Sequence, residues 1–384
     1  MIRILVAALL FVTQFTSLAV AQSFDSAARV AMVVDQGTGA VLLAKNADAP
    51  VPPASMSKLM TLNMLFEALR EGRVSMETEF LVSEKAHQIG GSTMFLRVGE
   101  RVSVGNLIQG IIVQSGNDAC ITVAENLSGS EEAFAAQMTE RAQSLGMVGS
   151  TFANSTGWPH PNQRMSARDL VFLANRLISE FPEYYPMFAQ KSFTWDGVTQ
   201  DNRNPLLGLG IGADGLKTGH TQEAGYGLVG SAVQGDRRII FMISGLESQQ
   251  SRAKEAEKLT NWAFRQFATK KLFEKNVEVA KADVWLGTQS TVPLVTDQDI
   301  VTMVALGKAD DVKATVSYTG PIEAPIAKGT ELGTLTIASP GLEEITFPLF
   351  AASEVGTSGI ISRVKASAMI LSGKLLGQIS PQDG

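Results

Sequence analysis

Apolar and polar positions along this chain follow a two-residue period, then a helical one, then a two-residue period again. Ala31–Asp35 and Val41–Lys45 flank Gln36-Gly37-Thr38-Gly39, which predicts a β-hairpin ended by Pro52 and Pro53. From Ser55 to about Glu71 the spacing is helical. Leu59, Met60, Leu62, Met64, Leu65, Phe66 and Leu69 fall all round the cylinder, so this helix is expected inside its domain. Helical spacing also covers Val104–Gln114, Asp118–Leu127, Glu131–Leu145 and Ser166–Ser179, the last with Ser166 and Asp169 placed as a capping box.

After Lys217 the alternation returns. Gly225–Val233 and Arg238–Ser244, joined at Gly235-Asp236, predict a hairpin at the heart of a sheet. Ser251–Phe267 then predicts an amphipathic helix with Ala256, Leu259, Trp262, Ala263 and Phe267 on one face. Helices flanking an antiparallel sheet make this part an α+β domain. From about Leu272 to Phe350, short β-prone runs alternate with Gly, Pro and Asp turns: Val277–Val279, Ile300–Leu306, Lys313–Tyr318, Leu332–Ile337 and Glu344–Leu349. That spacing predicts a smaller all-β unit.

Both ends read differently from the middle. Arg3, the apolar run Ile4–Val12 and Ala19-Val20-Ala21 before Gln22 have the form of a secretory signal peptide, so the expected parts are 1–21 (signal), 22–270 (α+β), 271–352 (all-β) and 353–384 (tail). In Gly359–Leu376, Ile360, Val364, Ala368, Leu371 and Leu375 share one helical face, with three basic residues and no acidic one elsewhere. This suits a membrane surface, a helix docked on the β unit being the alternative.

Composition narrows the classes. With 384 residues, 45% apolar, 18% charged and a net charge of −6, the chain is globular and carries no basic footprint for nucleic acid. Cys120 is the single cysteine, which rules out an intrachain disulfide, and its apolar surroundings Ala119–Val123 read as those of a small buried hydrophobe. His87, His160 and His220 lack metal-ligand spacing, so neither metal nor cofactor is expected.

The chemistry lies in three short elements in order: Ser55-Met56-Ser57-Lys58, Ser115-Gly116-Asn117 and Lys217-Thr218-Gly219. Ser-x-x-Lys alone is weak, since Ser251-Arg-Ala-Lys254 and Ser362-Arg-Val-Lys365 also match it. At the start of a helix, Ser55 and Lys58 share a face, and a lysine buried among apolar residues loses its proton more readily and can serve as a base. A second cation, Lys217, would reinforce that loss. The Ser115 hydroxyl can shuttle a proton and the Asn117 amide can hold a peptide carbonyl, with Gly116 permitting a tight loop. Lys217-Thr218-Gly219 precedes a hairpin and can receive an extended substrate by strand addition, Gly219 leaving room for close approach. Backbone N–H groups of Ser55 and His220 are candidate oxyanion donors. The set suits acyl transfer to serine. Neither Gly-x-Ser-x-Gly nor a Glu-x-x-Leu-Asn segment between Asn117 and Lys217 is present, which argues against an α/β-hydrolase esterase and a class A β-lactamase.

The blocks Pro53–Thr61, Gln114–Cys120 and Asp214–Thr221 resemble the signatures of serine D-alanyl-D-alanine carboxypeptidases, the low-molecular-mass penicillin-binding proteins. The resemblance implies a penicillin-binding, transpeptidase-like fold with a β domain and a terminal amphipathic helix. It implies removal of the terminal D-alanine from peptidoglycan stem peptides through a Ser55 acyl-enzyme, covalent binding of β-lactams, and a periplasmic enzyme attached peripherally to the inner membrane. Asn202-Arg203-Asn204 is similar to the segment whose arginine binds the substrate's terminal carboxylate, with Arg252 in support.

Overall fold

The computed structural model describes residues 24–359. The expected signal peptide and nearly all of the expected terminal helix lie outside these residues. The hairpin β1 (Val30–Asp35) and β2 (Val41–Lys45) is followed by α1 (Lys58–Arg70), β3 (Glu79–Leu81), α2 (Glu84–Gln88), β4 (Arg101–Ser103), α3 (Val104–Gln109), α4 (Asn117–Ser128), α5 (Glu131–Ser144) and α6 (Ala167–Glu180). Next come the small hairpin β5 (Ser192–Trp195) and β6 (Val198–Asp201), the long strands β7 (Ala213–Thr221), β8 (Gly225–Gln234) and β9 (Arg237–Leu246), and α7 (Gln249–Arg265).

The five-stranded antiparallel sheet runs β2-β1-β9-β8-β7, which leaves β7 at an edge. Its two faces follow the two-residue period. Met32, Val229, Ile240 and Met242 face the helical layer containing α1, α4 and α6. Val33, Leu228, Ile239, Phe241 and Ile243 face the other way, against Ala256, Leu259 and Ala263 of α7. α1 is enclosed nearly all round, as its uninterrupted apolar surface predicts. A buried carboxylate ties three helices together, because Glu67 of α1 accepts from Arg141 of α5 at 2.8 Å and from Arg176 of α6 at 2.8 Å.

Beyond α7 lie β10 (Phe267–Phe273), β11 (Glu278–Trp285), β12 (Thr291–Val295), β13 (Ile300–Ala305), β14 (Lys313–Tyr318), β15 (Ile322–Glu323), β16 (Glu331–Ala338) and β17 (Ile345–Ala351). They form a β10-β13 pair and a six-stranded sheet ordered β14-β16-β17-β12-β11-β15 around Ala282, Leu294, Leu335, Ile337 and Leu349. The α+β domain and the all-β unit agree with the expectation. Their borders do not. A break at 270/271 would cut β10, whose residues pair with β13 from Phe267 onward, so α7 stops at Arg265 and Phe267 opens a strand. Residues after 352 still belong to the β unit: Val355 bridges Ile326, Thr357 bridges Gly287, and Ser358 N–H donates to the Leu286 carbonyl. Strand β12 escapes the sequence pattern because Pro293 interrupts its run. The capping box is half formed. Ser166 Oγ accepts from the Asp169 N–H, while the Asp169 carboxylate turns to Ser150 Oγ at 2.7 Å.

Candidate active site

The α-helix expected from Ser55 begins at Lys58, and Ser55 itself lies in a 3₁₀ turn (Ala54–Ser57) that leads into α1. Three residues per turn eclipse side chains at i and i+3, which stacks Ser55 directly on Lys58. Lys58 Nζ donates to Ser55 Oγ at 3.0 Å, to Asn117 Oδ1 at 2.8 Å and to the Thr156 carbonyl at 2.5 Å. Its side chain has no solvent exposure. Burial pulls the ammonium down to about 8, against the opposing field of Cys120, with the Arg203 guanidinium pushing in the same direction as burial. Cys120 itself is buried and its thiol is pushed up to about 12, as fits a packing residue.

The second element enters through a π-helical turn, Gly110–Gln114. Ser115, not the glycine, takes the left-handed conformation there, with φ of 60°. This is a costly geometry for a residue with a side chain. Gly116 is needed for a different reason from loop tightness: a Cβ would lie 2.9 Å from Asp118 Oδ1 and 3.1 Å from Met94 Cγ. Asn117 spans the site. Its Oδ1 accepts from Lys58, its Nδ2 donates to the Gly90 carbonyl at 2.8 Å, and its N–H donates to the Ser92 carbonyl at 2.7 Å.

The third element lies on edge strand β7. Lys217 and Thr218 are buried, and Lys217 Nζ donates to Ser115 Oγ at 2.9 Å and to the Thr218 carbonyl at 3.2 Å. Burial, with Lys58 and Arg203 nearby, holds Lys217 well below its ordinary value. Gly219 makes room for the nucleophile turn. A Cβ there would sit 3.0 Å from Met56 Cγ and 3.0 Å from the Pro53 carbonyl oxygen. His220 is exposed and stacks on Tyr226, ring centroids 3.8 Å apart.

Arg203 reaches the same region and donates to Ser92 Oγ at 2.6 Å, while Arg252 lies over the Tyr226 ring and touches the Arg203 carbonyl at 3.4 Å. Among the described residues, Lys58, Lys217, Arg203 and Arg252 make no salt bridge with any carboxylate, whereas Glu67, Arg141, Arg176 and Arg238 elsewhere in the domain are paired. The guanidiniums of Arg203 and Arg252, with the two buried amines behind them, create a field suited to an anion. The three motifs are thus brought together: Lys58 joins Ser55 to Asn117, Lys217 joins Ser115, and Arg203 reaches them through Ser92 on the wall of the cleft that Ser55, Asn117 and His220 line.

Several supporting residues carried no motif. Asp118 accepts from the N–H groups of Met94 and Leu96 and fixes the loop above Ser115. Glu131 accepts from Ser155, next to the Thr156 carbonyl that Lys58 uses. Asn154 Oδ1 accepts from the N–H groups of Thr156, Gly157 and Trp158. The cluster Asn154-Ser-Thr-Gly157 is the type of turn chemistry by which this loop could have been found. Together they frame a cleft of about 290 Å³ lined by Ser55, Gly91, Ser92, Asn117, Trp158 and His220, among others.

The family model described as D-alanyl-D-alanine carboxypeptidase matches residues 16–247, and that of the penicillin-binding protein 5 C-terminal domain matches residues 267–357. The chain is 35% identical over 368 residues to D-alanyl-D-alanine carboxypeptidase DacC of Escherichia coli (strain K12), covering 93% of this chain and 92% of that protein. It is 35% identical to DacF of Bacillus subtilis (strain 168), covering 88% of each. A solved structure of penicillin binding protein 5 from Haemophilus influenzae superposes with a TM-score of 0.78 at 34% identity, covering 87% of this chain and 99% of that one. Serine, lysine and cationic strand therefore sit in a chain whose two parts both match, in order, and the chain belongs to the serine-type D-alanyl-D-alanine carboxypeptidases of the low-molecular-mass penicillin-binding protein family.

Proposed function

We propose that this carboxypeptidase releases the terminal D-alanine of peptidoglycan stem peptides through an acyl-enzyme on Ser55. The observation that carries the reading is the contact of Lys58 Nζ with Ser55 Oγ in a fully buried setting that makes the ammonium easier to deprotonate. Neutral Lys58 takes the Ser55 proton as Oγ bonds to the carbonyl carbon of the penultimate residue. The oxyanion is received by the N–H groups of Ser55 and His220. The C–N bond then breaks, and the Ser115–Lys217 pair passes a proton to the departing amine. Water attacks the ester, returns the serine and frees the shortened peptide. The chemistry needs neither metal nor cofactor.

Arg203, Lys217 and Thr218, with Arg252 behind, bind the free terminal carboxylate by charge-assisted hydrogen bonds, and Asn117 and Gly219 border the acyl chain. β-Lactams acylate Ser55 by the same attack and leave slowly. The enzyme works in the periplasm, where the apolar and basic stripe of segment 359–376 attaches it to the outer face of the inner membrane. Among the described residues no helix is long and apolar enough to cross a membrane.

Mass spectrometry of the protein with a pentapeptide and with penicillin tests the reading. D-Alanine release and a covalent adduct on Ser55 are expected, both absent in Ser55→Ala. An adduct retained in that variant would place the nucleophile elsewhere.

A further inference from the structure

Trp158 is a large aromatic residue left 46% exposed on the wall of the Ser55 cleft. Its backbone is fixed at both ends: the N–H donates to Asn154 Oδ1 at 3.0 Å and to Thr156 Oγ1 at 3.1 Å, and the carbonyl accepts from Asn154 Nδ2 at 3.0 Å. The inner edge of the indole rests on Gly90 and Gly91, where a Cβ on Gly91 would lie 3.1 Å from the ring and 3.0 Å from Asn117 Nδ2. Gly91, at φ of +80°, lets the loop lie flat between the catalytic amide and the indole. The backbone is thus fixed and the ring's apolar area borders the cleft.

Strand direction says what meets it. This step rests on the carboxypeptidase reading above. With the substrate's terminal carboxylate at Arg203 and Lys217 and its scissile carbonyl at His220, an extended peptide runs antiparallel to β7, toward Thr221 and Gln222. Those two residues line the cleft together with Trp158. The residue that precedes the D-Ala-D-Ala pair therefore lies along them.

We propose that Trp158 forms a subsite for the side chain of that preceding residue, selecting an unbranched aliphatic stem such as that of a linear diamino acid. Methylenes laid on the indole leave water without any polar partner being required, and a cationic end group would remain at the wet rim.

The test compares kcat/KM for D-alanine release from Nα-acetyl-X-D-Ala-D-Ala with X as norleucine and as alanine. The parent enzyme should prefer norleucine about tenfold. Trp158→Ala should bring that ratio close to one, and Trp158→Phe, which keeps a flat apolar face, should retain most of it. An equal loss on both peptides with the ratio unchanged would reduce Trp158 to a structural wall and overturn the proposal, as would a parent with no chain-length preference. A parent that releases no D-alanine from either peptide would instead sink the carboxypeptidase reading, and this subsite with it.

Discussion

The carbonyl oxygen of Ala54 occupies the place where a side chain on Gly157 would stand. Ala54 has φ of 50° and Gly157 φ of +82°, so two unusual backbone conformations meet under the nucleophile. A Cβ on Gly157 would also lie 2.6 Å from Ser57 Oγ. The contact locks the Ser55 turn to the loop whose Thr156 carbonyl holds Lys58. Gly157→Ala must push these apart, and a shift of even an ångström at a reacting centre costs on the order of 10²-fold in rate. Penicillin acylation should fall by about that factor, read by labelled-penicillin kinetics. A parental rate would mean that the two segments move independently.

Lys58 sets the pH dependence. In the free enzyme acylation needs the neutral amine, whose ammonium form titrates at about 8. The second-order rate of penicillin acylation should rise with pH below that value and level above it, the base being mostly protonated at pH 7. Lys58→Ala should slow acylation by roughly 10²–10⁴-fold and remove the rise. The same shift bears on stability. Because the folded state loses this proton before the unfolded state does, Lys58 makes stability increase as pH climbs from about 8 toward the ordinary lysine value of 10.5. An acylation profile flat from pH 6 to 10 would assign the base to another group.

Arg203 makes a claim about the substrate's end. Amidating the C-terminus of a D-Ala-D-Ala peptide should lower kcat/KM strongly in the parent and little in Arg203→Ala, because only the parent loses a charge-assisted contact. Equal sensitivity in both proteins would exclude the role.

Glu67 concerns the scaffold. The residue is 7% exposed and its carboxylate serves both Arg141 and Arg176. Burial opposes its charge, but the two guanidiniums outweigh burial and hold it below the ordinary carboxylate value. Stability from this group is therefore present above the unfolded-state value and lost as pH falls through the lower folded one. Glu67→Gln removes one of the two carboxylates on Arg176, which keeps Glu180 at 2.7 Å, and should cost about 1–3 kcal/mol in urea unfolding. A midpoint unchanged by the substitution would show that the helices do not depend on this centre.

The tail is tested by truncation. Ending the chain after Gly359 keeps the Ser358–Leu286 bond of the β unit and removes the apolar stripe with its three basic residues. The truncated enzyme should stop co-sedimenting with anionic liposomes yet keep D-alanine release. Equal sedimentation of both forms would remove the membrane assignment.

The sequence by itself determined the α+β domain, the all-β unit and the identities of Ser55, Lys58, Ser115, Asn117, Arg203 and Lys217, because period and residue chemistry are local properties. The spacing of Ser55 and Lys58 announced a pair, since three residues along any helical turn bring side chains together. What the tertiary structure alone decided is non-local. It gave the strained left-handed turn to Ser115, packed Gly219 against Met56, and paired Phe267 of β10 with Ala305 of β13. It also recruited Asp118, Glu131 and Asn154 to hold the loops. An aspartate, a glutamate and an asparagine look alike wherever they stand in a chain. Only the packing that removes water from them turns their hydrogen bonds into the supports on which the base and the nucleophile are aligned.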